Sequence, residues 1–330
     1  MLPAIHIIMK NKKRFLALII FPLAAALYSA ELTDFSFEGG TGFLNGIIIE
    51  NVWRANVVQY GNSQTFTPST RLSRLDWQLE NLPALFFNST ATFNRHFYIN
   101  FGLNTSLSGE YGIMEDYDWK IAAEPDHLTN YSIHFINIKS FTNINVNLGY
   151  KFLFNTKRPL SLTPQFGFEL YSFDFEGVSG YKMYENEGWT KTYWKRDEVV
   201  IEYMQSYLAP RISLLFDYDF LKYFGTQLTA GILYCPKYNA FDMHESKSTY
   251  YKDCIEGAWV LDAKGQLYFN INENNRLGLT AAINFMPDTY AFTYISYNKN
   301  QDYSDTPDGG TLGGTNRLLW SYSISYTFKF

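Results

Sequence analysis

Two short segments of this 330-residue sequence carry residues at spacings that could support hydrolysis. The first is "MEDYDW" (residues 114–119), in which Asp116 and Asp118 stand two positions apart. In an extended strand this spacing points both carboxylates to the same face. Crowded carboxylates cost stability, but one pKa rises and the pair can share a proton, which is useful where water must be positioned. The alternative is a solvated acidic rim on a surface loop.

The second segment, "FDMH" (residues 241–244), places Asp242 and His244 at the same spacing. A carboxylate can orient an imidazole that acts as a general base, as in many hydrolases. By itself an Asp-x-His pair is weak evidence for catalysis. Even positions earlier in the same strand are apolar and predicted to face outward: Leu228, Ala230, Ile232 and Tyr234. Asp242 and His244 therefore face inward only if the strand shifts phase, and we predict that Pro236 marks a bulge that does this.

Long runs of alternating apolar and polar residues predict the strands that position these groups. In "NINVNLGYKFLF" (143–154) every even position is apolar, and the odd positions up to Lys151 are asparagine, glycine or lysine. "RLGLTAAINF" (276–285) and "FYINFGLNTSL" (97–107) alternate in the same way. Each run is about ten residues long, the length of a strand that crosses a bilayer. The pattern predicts strands with an apolar outer face and a polar inner face.

The last segment, "YSISYTFKF" (322–330), is amphipathic and ends on Phe330. Outer-membrane barrels commonly end in this way, and the segment resembles the signal by which they are inserted. A soluble sandwich can also alternate, with one face buried against a second sheet. Long strands and an aromatic content of 18% favour lipid as the apolar partner. A helical membrane protein is excluded, because no residues after position 30 form an apolar run of helix length and the mean hydropathy is −0.20.

The sequence therefore predicts an all-β fold, a transmembrane antiparallel β-barrel with an even number of strands, ten. The predicted strands span 33–52, 70–93, 97–118, 130–154, 160–180, 198–218, 223–243, 254–270, 276–297 and 315–330. Short turns are predicted at 93–96, 155–159, 218–222 and 270–274, and long connections around 54–70, 119–130, 178–198, 240–254 and 298–315. Because short and long connections alternate, they segregate into short periplasmic turns and long extracellular loops.

The N-terminal residues predict an export signal over 1–30, followed by a single barrel domain over 31–330. If translation starts at Met9, "KNKKR" supplies the positive region and "FLALIIFPLAAAL" an apolar core too short to span a bilayer as a helix. Cleavage after Ala26 and cleavage after Ala30 both remain open. A retained membrane anchor is the alternative.

Charge and cysteine content limit the partners. A net charge of −5 argues against nucleic acid. The two cysteines, Cys235 and Cys254, could form a disulfide in an exported chain or remain unpaired on their strands, and both possibilities stay open. Neither their spacing nor their neighbours indicate a metal site.

With these motifs the chain resembles the omptins, a family of ten-stranded outer-membrane endoproteases. The acidic pair of that family stands as Asp-x-Asp-Trp, which Asp116, Asp118 and Trp119 match. Its Asp-x-His dyad is matched by Asp242 and His244. These positions occur in the family's order and on the corresponding strands.

The resemblance extends to the first two strands. "SRLDW" (73–77) and "LNGIIIENV" (44–52) are similar to family segments, and Glu50 falls on the substrate-pocket glutamate. Even positions of this strand face inward, so Glu50 is expected in the cleft. A second pocket acid of the family is Ala240 here. The resemblance therefore implies that a preference for cleavage near basic residues is weakened but kept.

Two family signatures differ in this chain. Trp-Thr-Asp-x-Ser-x-His-Pro is absent after the acidic pair, where "AEPDHLTNY" (123–131) stands, and the fifth-strand signature survives only as "QFGFELYSF" (165–173). Positions that bind lipopolysaccharide in relatives fall on apolar residues or serine: Phe166, Phe168, Leu170 and Ser206. Dependence on lipopolysaccharide is therefore doubtful.

The resemblance implies an aspartyl-type endopeptidase of the cell outer membrane, with its active site facing the extracellular side. His244 would be the general base and Asp242 its orienter, while Asp116 and Asp118 hold the attacking water, without cofactor, metal or covalent intermediate. Peptides or proteins are the implied substrates, and outer-membrane lipid surrounds the barrel. The alternative is a barrel without hydrolase activity that acts as an adhesin or small pore.

Overall fold

The computed structural model describes residues 31–60, 63–154, 157–244, 248–297, 303–304, 308 and 310–330. The predicted export signal lies outside these residues, as do parts of the predicted turn at 155–159 and of the connections at 54–70, 240–254 and 298–315. In the part of the chain that is described, no helix is long and apolar enough to cross a membrane. Most of these residues belong to one β-sheet.

The long strands follow the alternating segments of the sequence, because each alternation gives one face to the interior and one to the outside. Their bounds are β1 (Leu32–Tyr60), β2 (Ser63–Phe93), β3 (Phe97–Ser106), β4 (Gly109–Asp118), β5 (Asn130–Tyr150), β6 (Phe152–Phe154), β7 (Leu160–Tyr184), β8 (Thr192–Tyr193), β9 (Val199–Tyr218), β10 (Phe224–Cys235), β11 (Tyr238–His244), β12 (Thr249–Ile255), β13 (Ala258–Asn270), β14 (Asn275–Met286), β15 (Ala291–Ser296) and β16 (Thr311–Lys329). One turn of 3₁₀-helix lies at Glu185–Glu187.

The strands pair in an antiparallel ring. Five barrel strands are each built from two consecutive pieces: β3 with β4, β5 with β6, β10 with β11, β12 with β13, and β14 with β15. Counted in this way, the described residues form ten barrel strands, with β8 as a short addition beside β7. β16 closes the ring against β1, from Ser36 opposite Lys329 to Arg54 opposite Thr311. The predicted ten-stranded antiparallel β-barrel is confirmed.

The outer surface of the barrel carries a belt of exposed apolar side chains. On β14, Leu279 and Ile283 are 63% and 46% exposed, whereas the neighbouring Arg276 is buried. On the last strand, Tyr322 and Ile324 are 48% and 54% exposed. Exposed apolar area of this extent requires a nonpolar environment, which lipid provides. The prediction of an apolar outer face is confirmed.

This belt defines the membrane-spanning segments, which we take as residues 35–46, 82–93, 97–106, 141–150, 160–170, 208–218, 224–235, 258–270, 275–286 and 317–329. Beyond the belt, at the end of the long connections, the barrel wall continues as an extension. The extension consists of the distal parts of β1, β2, β5, β7, β9 and β16 together with β4, β11, β12 and β15. Every candidate site residue lies in this extension.

Two of the predicted long connections are mostly strand. β1 continues to Tyr60 and β2 begins at Ser63. The predicted loop at 54–70 is therefore part of a long hairpin. β11 and β12 likewise occupy most of 240–254. These segments are polar because they lie beyond the lipid, and their backbone groups are satisfied by antiparallel pairing. Apolar alternation, the signal used for the other strands, is therefore weak there.

The predicted phase shift in the seventh barrel strand is present. Odd residues such as Leu233 face the interior in β10, whereas even residues such as Ala240 do so in β11. The break between the two pieces falls at Pro236 and Lys237. It turns the even-numbered residues of the "FDMH" segment toward the interior.

The question of a disulfide is answered by the positions of the two cysteines, which are both free thiols. Cys235 is fully buried on the inner side of β10. Cys254 lies directly opposite Asn239 and 3.9 Å from its Oδ1, next to the inward-facing Asp253, and so projects outward. The thiols are on opposite faces of the barrel wall and cannot bridge.

Candidate active site

The acidic pair lies at the C-terminal end of β4, in the extension, between β2 and β5. Asn130 of β5 donates a hydrogen bond to Asp118 Oδ2 at 3.1 Å, and Lys120 Nζ lies 2.9 Å from the same oxygen. From β2, Ser73 Oγ donates to Asp116 Oδ1 at 3.5 Å. The two carboxylates are thus held from both flanking strands, and Lys120 forms an ion pair with Asp118.

The Asp-x-His segment makes the contact that its spacing predicts. His244 Nε2 lies 2.7 Å from Asp242 Oδ2, and the two side chains are 17% and 7% exposed. β11, which carries both residues, is held between β9 and β12. A short contact of this kind fixes the orientation of the imidazole.

Tyr251 on β12 connects the dyad with the acidic pair. It lies directly opposite Asp242, and its ring is 5.5 Å from the imidazole of His244. Burial, then the charge of Asp242 and, more weakly, that of Asp118 raise the pKa of Tyr251 to about 12. The phenol of Tyr251 therefore lies within range of the charges of both Asp242 and Asp118.

Glu50 lies on the inward face that its even position predicts. It is 2% exposed. Across the wall, Leu75 is directly opposite Glu50, and Asp116 is directly opposite Leu75. Burial and then the charges of Asp242, Asp253 and Asp116 raise the pKa of Glu50 well above its ordinary value. Glu50 is therefore close to both halves of the candidate site.

Asp253 on β12 is a further inward carboxylate that motif spacing did not identify. It is 6% exposed, and Thr293 Oγ1 donates a hydrogen bond to its Oδ1 at 2.6 Å. Burial raises the pKa of Asp253 to about 7, with the charge of Asp242 acting in the same direction and the Thr293 hydrogen bond opposing. The register of the β11–β12 hairpin, which pairs Asp253 with Ala240, is the signal that could have found it.

β5 contributes a buried serine and histidine beside the acidic pair. Burial lowers the pKa of His134 to about 4, so the imidazole is neutral. Its Nδ1–H then donates to the Ser179 carbonyl at 2.7 Å, and Ser132 Oγ donates to its Nε2 at 3.0 Å. Ser132 is directly opposite Asp116. Ser132 and His134 stand at a Ser-x-His spacing directly after residues 123–131, the segment that replaces the family signature.

An aromatic cluster forms the floor of the cleft. Trp77, Phe175 and Tyr203 are fully buried, and the Trp77 ring lies 4.5 Å from that of Phe175 and 5.7 Å from that of Tyr203. Tyr203 is directly opposite Asp242. Close packing of this kind restricts rotamers and so keeps the carboxylate above it in place. Among the described residues, no group of three or more His, Cys, Asp or Glu side chains is arranged to hold a metal ion.

A closed ten-stranded barrel with this acidic cleft at one end agrees with comparison to known families. The Omptin family model matches residues 31–328. The match covers nearly the whole chain, including every candidate site residue. The chain therefore belongs to the omptin family of outer-membrane proteases.

Solved structures agree with this assignment at the level of the fold. The outer-membrane protease OmpT from Escherichia coli matches with a TM-score of 0.73 and 18% sequence identity, covering 92% of this chain and 98% of that chain. The outer-membrane protein OprG from Pseudomonas aeruginosa reaches a TM-score of 0.31 at 12% identity, covering 91% of this chain and 97% of that chain, too low to support an argument. A search of curated protein sequences gave no match.

Proposed function

We propose that this chain is an omptin-type endopeptidase that hydrolyses peptide bonds near basic residues, using a water molecule activated between the Asp242–His244 dyad and the Asp116–Asp118 pair. The observation that carries the proposal is the 2.7 Å contact between His244 Nε2 and Asp242 Oδ2, in the cleft that also holds the acidic pair. The proposal uses no metal ion, no organic cofactor and no covalent intermediate.

His244 is the proposed general base. Asp242 holds the ring through Nε2, and the imidazole takes a proton from water as the water oxygen attacks the peptide carbonyl carbon. The negative charge of Asp242 stabilises the imidazolium that forms. When the tetrahedral intermediate collapses, the same proton passes to the leaving amine and the C–N bond breaks. The products are a carboxyl terminus and a free amine.

The acidic pair holds and polarises the attacking water from the other side. Lys120 and Asn130 hold the Asp118 carboxylate in place, and Asp116 is directly opposite Ser132. An ionised carboxylate accepts a hydrogen bond from water and orients an oxygen lone pair toward the substrate. Placing this acceptor before the reaction avoids reorganisation in the transition state.

The interior below the cleft supports a protease over the alternative of a pore. It contains two adjoining cavities of about 260 and 270 Å³, which share lining residues such as Glu38 and Tyr98 and are lined largely by polar residues. Between these cavities and the cleft lie the Trp77 cluster and Arg317, whose guanidinium stacks 4.0 Å from the Tyr171 ring and donates to Tyr207. A passage for solutes would require these packed side chains to move apart.

The proposal is tested with the refolded protein and a peptide that is blocked at both ends and contains one internal arginine. Mass spectrometry should detect two fragments produced by cleavage next to that arginine. Blocked ends exclude exopeptidases, so the fragments identify an endopeptidase. An adhesin or a small pore would leave the peptide intact, and that result would reject the proposal.

The cleft is proposed to face the cell exterior, because it lies at the end of the long connections. Protease added to intact cells should therefore nick the chain within 178–198 or 240–254 and spare 155–159 and 218–222. Mapping the fragments by mass spectrometry checks this. Cuts at the short turns of intact cells would reverse the proposed orientation, and permeabilised cells serve as the comparison in which both ends can be reached.

Lipopolysaccharide is not proposed as a required partner. Phe166 and Leu170, at positions that bind this lipid in relatives, are outward-facing and 50% and 37% exposed. Their side chains offer neither charge nor a hydrogen-bond donor to a lipid phosphate. They are suited to contact acyl chains of the surrounding outer-membrane lipid.

A further inference from the structure

We infer that Asp253 is a specificity-determining residue, which together with Glu50 forms a two-carboxylate pocket for an Arg or Lys side chain of the substrate. The inference rests on the proposed function and reverses one expectation from the sequence. In the sequence, Ala240 occupies the position of the family's second pocket acid, which predicts a weakened preference for cleavage near basic residues. In the folded barrel a carboxylate reaches the same place from the neighbouring strand.

The strand register supports this exchange of positions. Asp253 of β12 lies directly opposite Ala240 of β11. Directly opposite residues project to the same face of a sheet, with Cβ atoms about 4.5–5.5 Å apart. Ala240 also precedes Asp242 by two positions, so Ala240, Asp253 and the dyad aspartate share the inner face. The small side chain at Ala240 leaves space that the carboxylate on the partner strand can occupy.

The surroundings of Asp253 fix its side chain next to that of Glu50. Thr293 holds Oδ1 with a 2.6 Å hydrogen bond. On β16, a Cβ atom added at Gly313 would lie 2.1–2.2 Å from the carboxyl atoms of Asp253, so only glycine leaves room for them. Thr315, two residues further along β16, is directly opposite Glu50. The two carboxylates therefore project over neighbouring interior positions of one strand.

The charge of this pocket points to a cationic ligand. Glu50 Oε2 and Asp242 Oδ1 are buried, and no described group donates a hydrogen bond to either atom when both carboxyls are ionised. A proton on Glu50 can bridge this pair in the free protein. The groups that act on Asp253 are the Thr293 hydroxyl and the Asp242 carboxylate, neither of them cationic. A bound guanidinium or ammonium group would replace the proton and supply the missing donors.

Two matched peptides test the inference, one with arginine and one with citrulline next to the scissile bond. Citrulline keeps the shape of arginine but carries no charge. We expect the wild type to prefer the arginine peptide in kcat/KM, and Asp253→Asn to lower the arginine-to-citrulline ratio by about 10–100-fold, the worth of one charge-assisted contact. A ratio within twofold of the wild type would overturn the inference.

Glu124→Gln is the matched control for the loss of one negative charge. Glu124 lies on an outer connection, and its side chain is 61% exposed. The arginine-to-citrulline ratio should stay at the wild-type value in this variant. A ratio that falls as far as in Asp253→Asn would attribute the effect to overall charge and contradict a pocket role.

Two further variants keep the test decisive if Asp253→Asn fails to fold. Gly313→Ala adds a methyl group that displaces the Asp253 carboxylate without changing any charge, and it should lower the ratio as well. Asp253→Ala combined with Ala240→Asp moves the carboxylate back to β11 and should restore the ratio that Asp253→Ala alone loses. An unaltered ratio in the first variant, or no recovery in the second, would count against the pocket.

The inference and the proposed function fail in different ways. If the folded wild type cleaves neither peptide, both are overturned. If it cleaves both peptides and Asp253→Asn leaves the ratio unchanged, the endopeptidase stands and only the pocket assignment falls. Barrel folding is verified for each variant by comparing the gel migration of an unheated sample with that of a heated sample, since only a folded barrel migrates differently in the two.

Discussion

Replacing His244 with alanine is expected to lower kcat/KM for a cleavable peptide by about 10²–10⁴ while the barrel stays folded. The change removes the proposed base and leaves Asp242, 2.7 Å away, without the imidazole that it orients. Folding should be kept because His244 ends β11, beyond the lipid belt, and its side chain is 17% exposed. Kinetics with the refolded, purified variant and its gel migration before heating measure the two effects separately.

His127→Ala is the matched control for removing a histidine from the same end of the barrel. His127 lies in the connection after β4 and contacts Glu185 Oε1 at 2.8 Å, with its side chain 40% exposed. An exposed pair of this kind contributes little, so the activity should remain within a few-fold of the wild type. Near-normal activity of His244→Ala itself would show that the dyad assignment is wrong.

Asp116→Asn is expected to cause a loss of the same order, about 10²–10⁴, because it removes one of the two carboxylates that are proposed to hold the water. The amide has the size of the carboxylate and can still accept the hydrogen bond from Ser73. The side chain should therefore keep its place while losing its charge. A fall in kcat with little change in KM is the expected pattern, since the lost contact acts mainly in the transition state.

Glu115→Gln is the control on the same strand. Glu115 has the opposite parity to the acidic pair and accepts hydrogen bonds from Tyr131 Oη at 2.7 Å and Gln78 Nε2 at 2.8 Å. Its role is structural, and the amide can keep the bond from Tyr131. We expect a change of less than about tenfold, well below the loss from a positioned acid or base. Equal losses in Asp116→Asn and Glu115→Gln would remove the acidic pair from the mechanism.

The barrel itself could be predicted from the sequence because lipid imposes a strict rule on each strand. Every second residue must be apolar over about ten positions, and the runs at 143–154 and 276–285 obey this. The same rule predicts the phase shift near Pro236, which the break between β10 and β11 confirms. The contact of His244 with Asp242 could likewise be predicted, since residues two positions apart on a strand share a face.

Features that depend on pairing between strands could not be predicted in this way. Asp253 carries no motif of its own, and its place opposite Ala240 follows only from the register of the β11–β12 hairpin. The continuation of β1 to Tyr60 is not visible in the sequence pattern, because its residues lie beyond the lipid and do not alternate between apolar and polar. The separation of Cys235 from Cys254 depends on the same phase shift, which places them on opposite faces.

The central claim is that the dyad and the acidic pair act on one water molecule, and a double variant tests it most directly. Kinetics are measured for His244→Ala, Asp116→Asn and the combination of both, in one refolded preparation series with the same peptide. When groups act as a unit, removing either one abolishes most of their joint effect. The kcat/KM of the double variant should therefore lie within about tenfold of that of the less active single variant. Losses that multiply, giving the product of the two single effects, would show that the groups act independently and would contradict the claim.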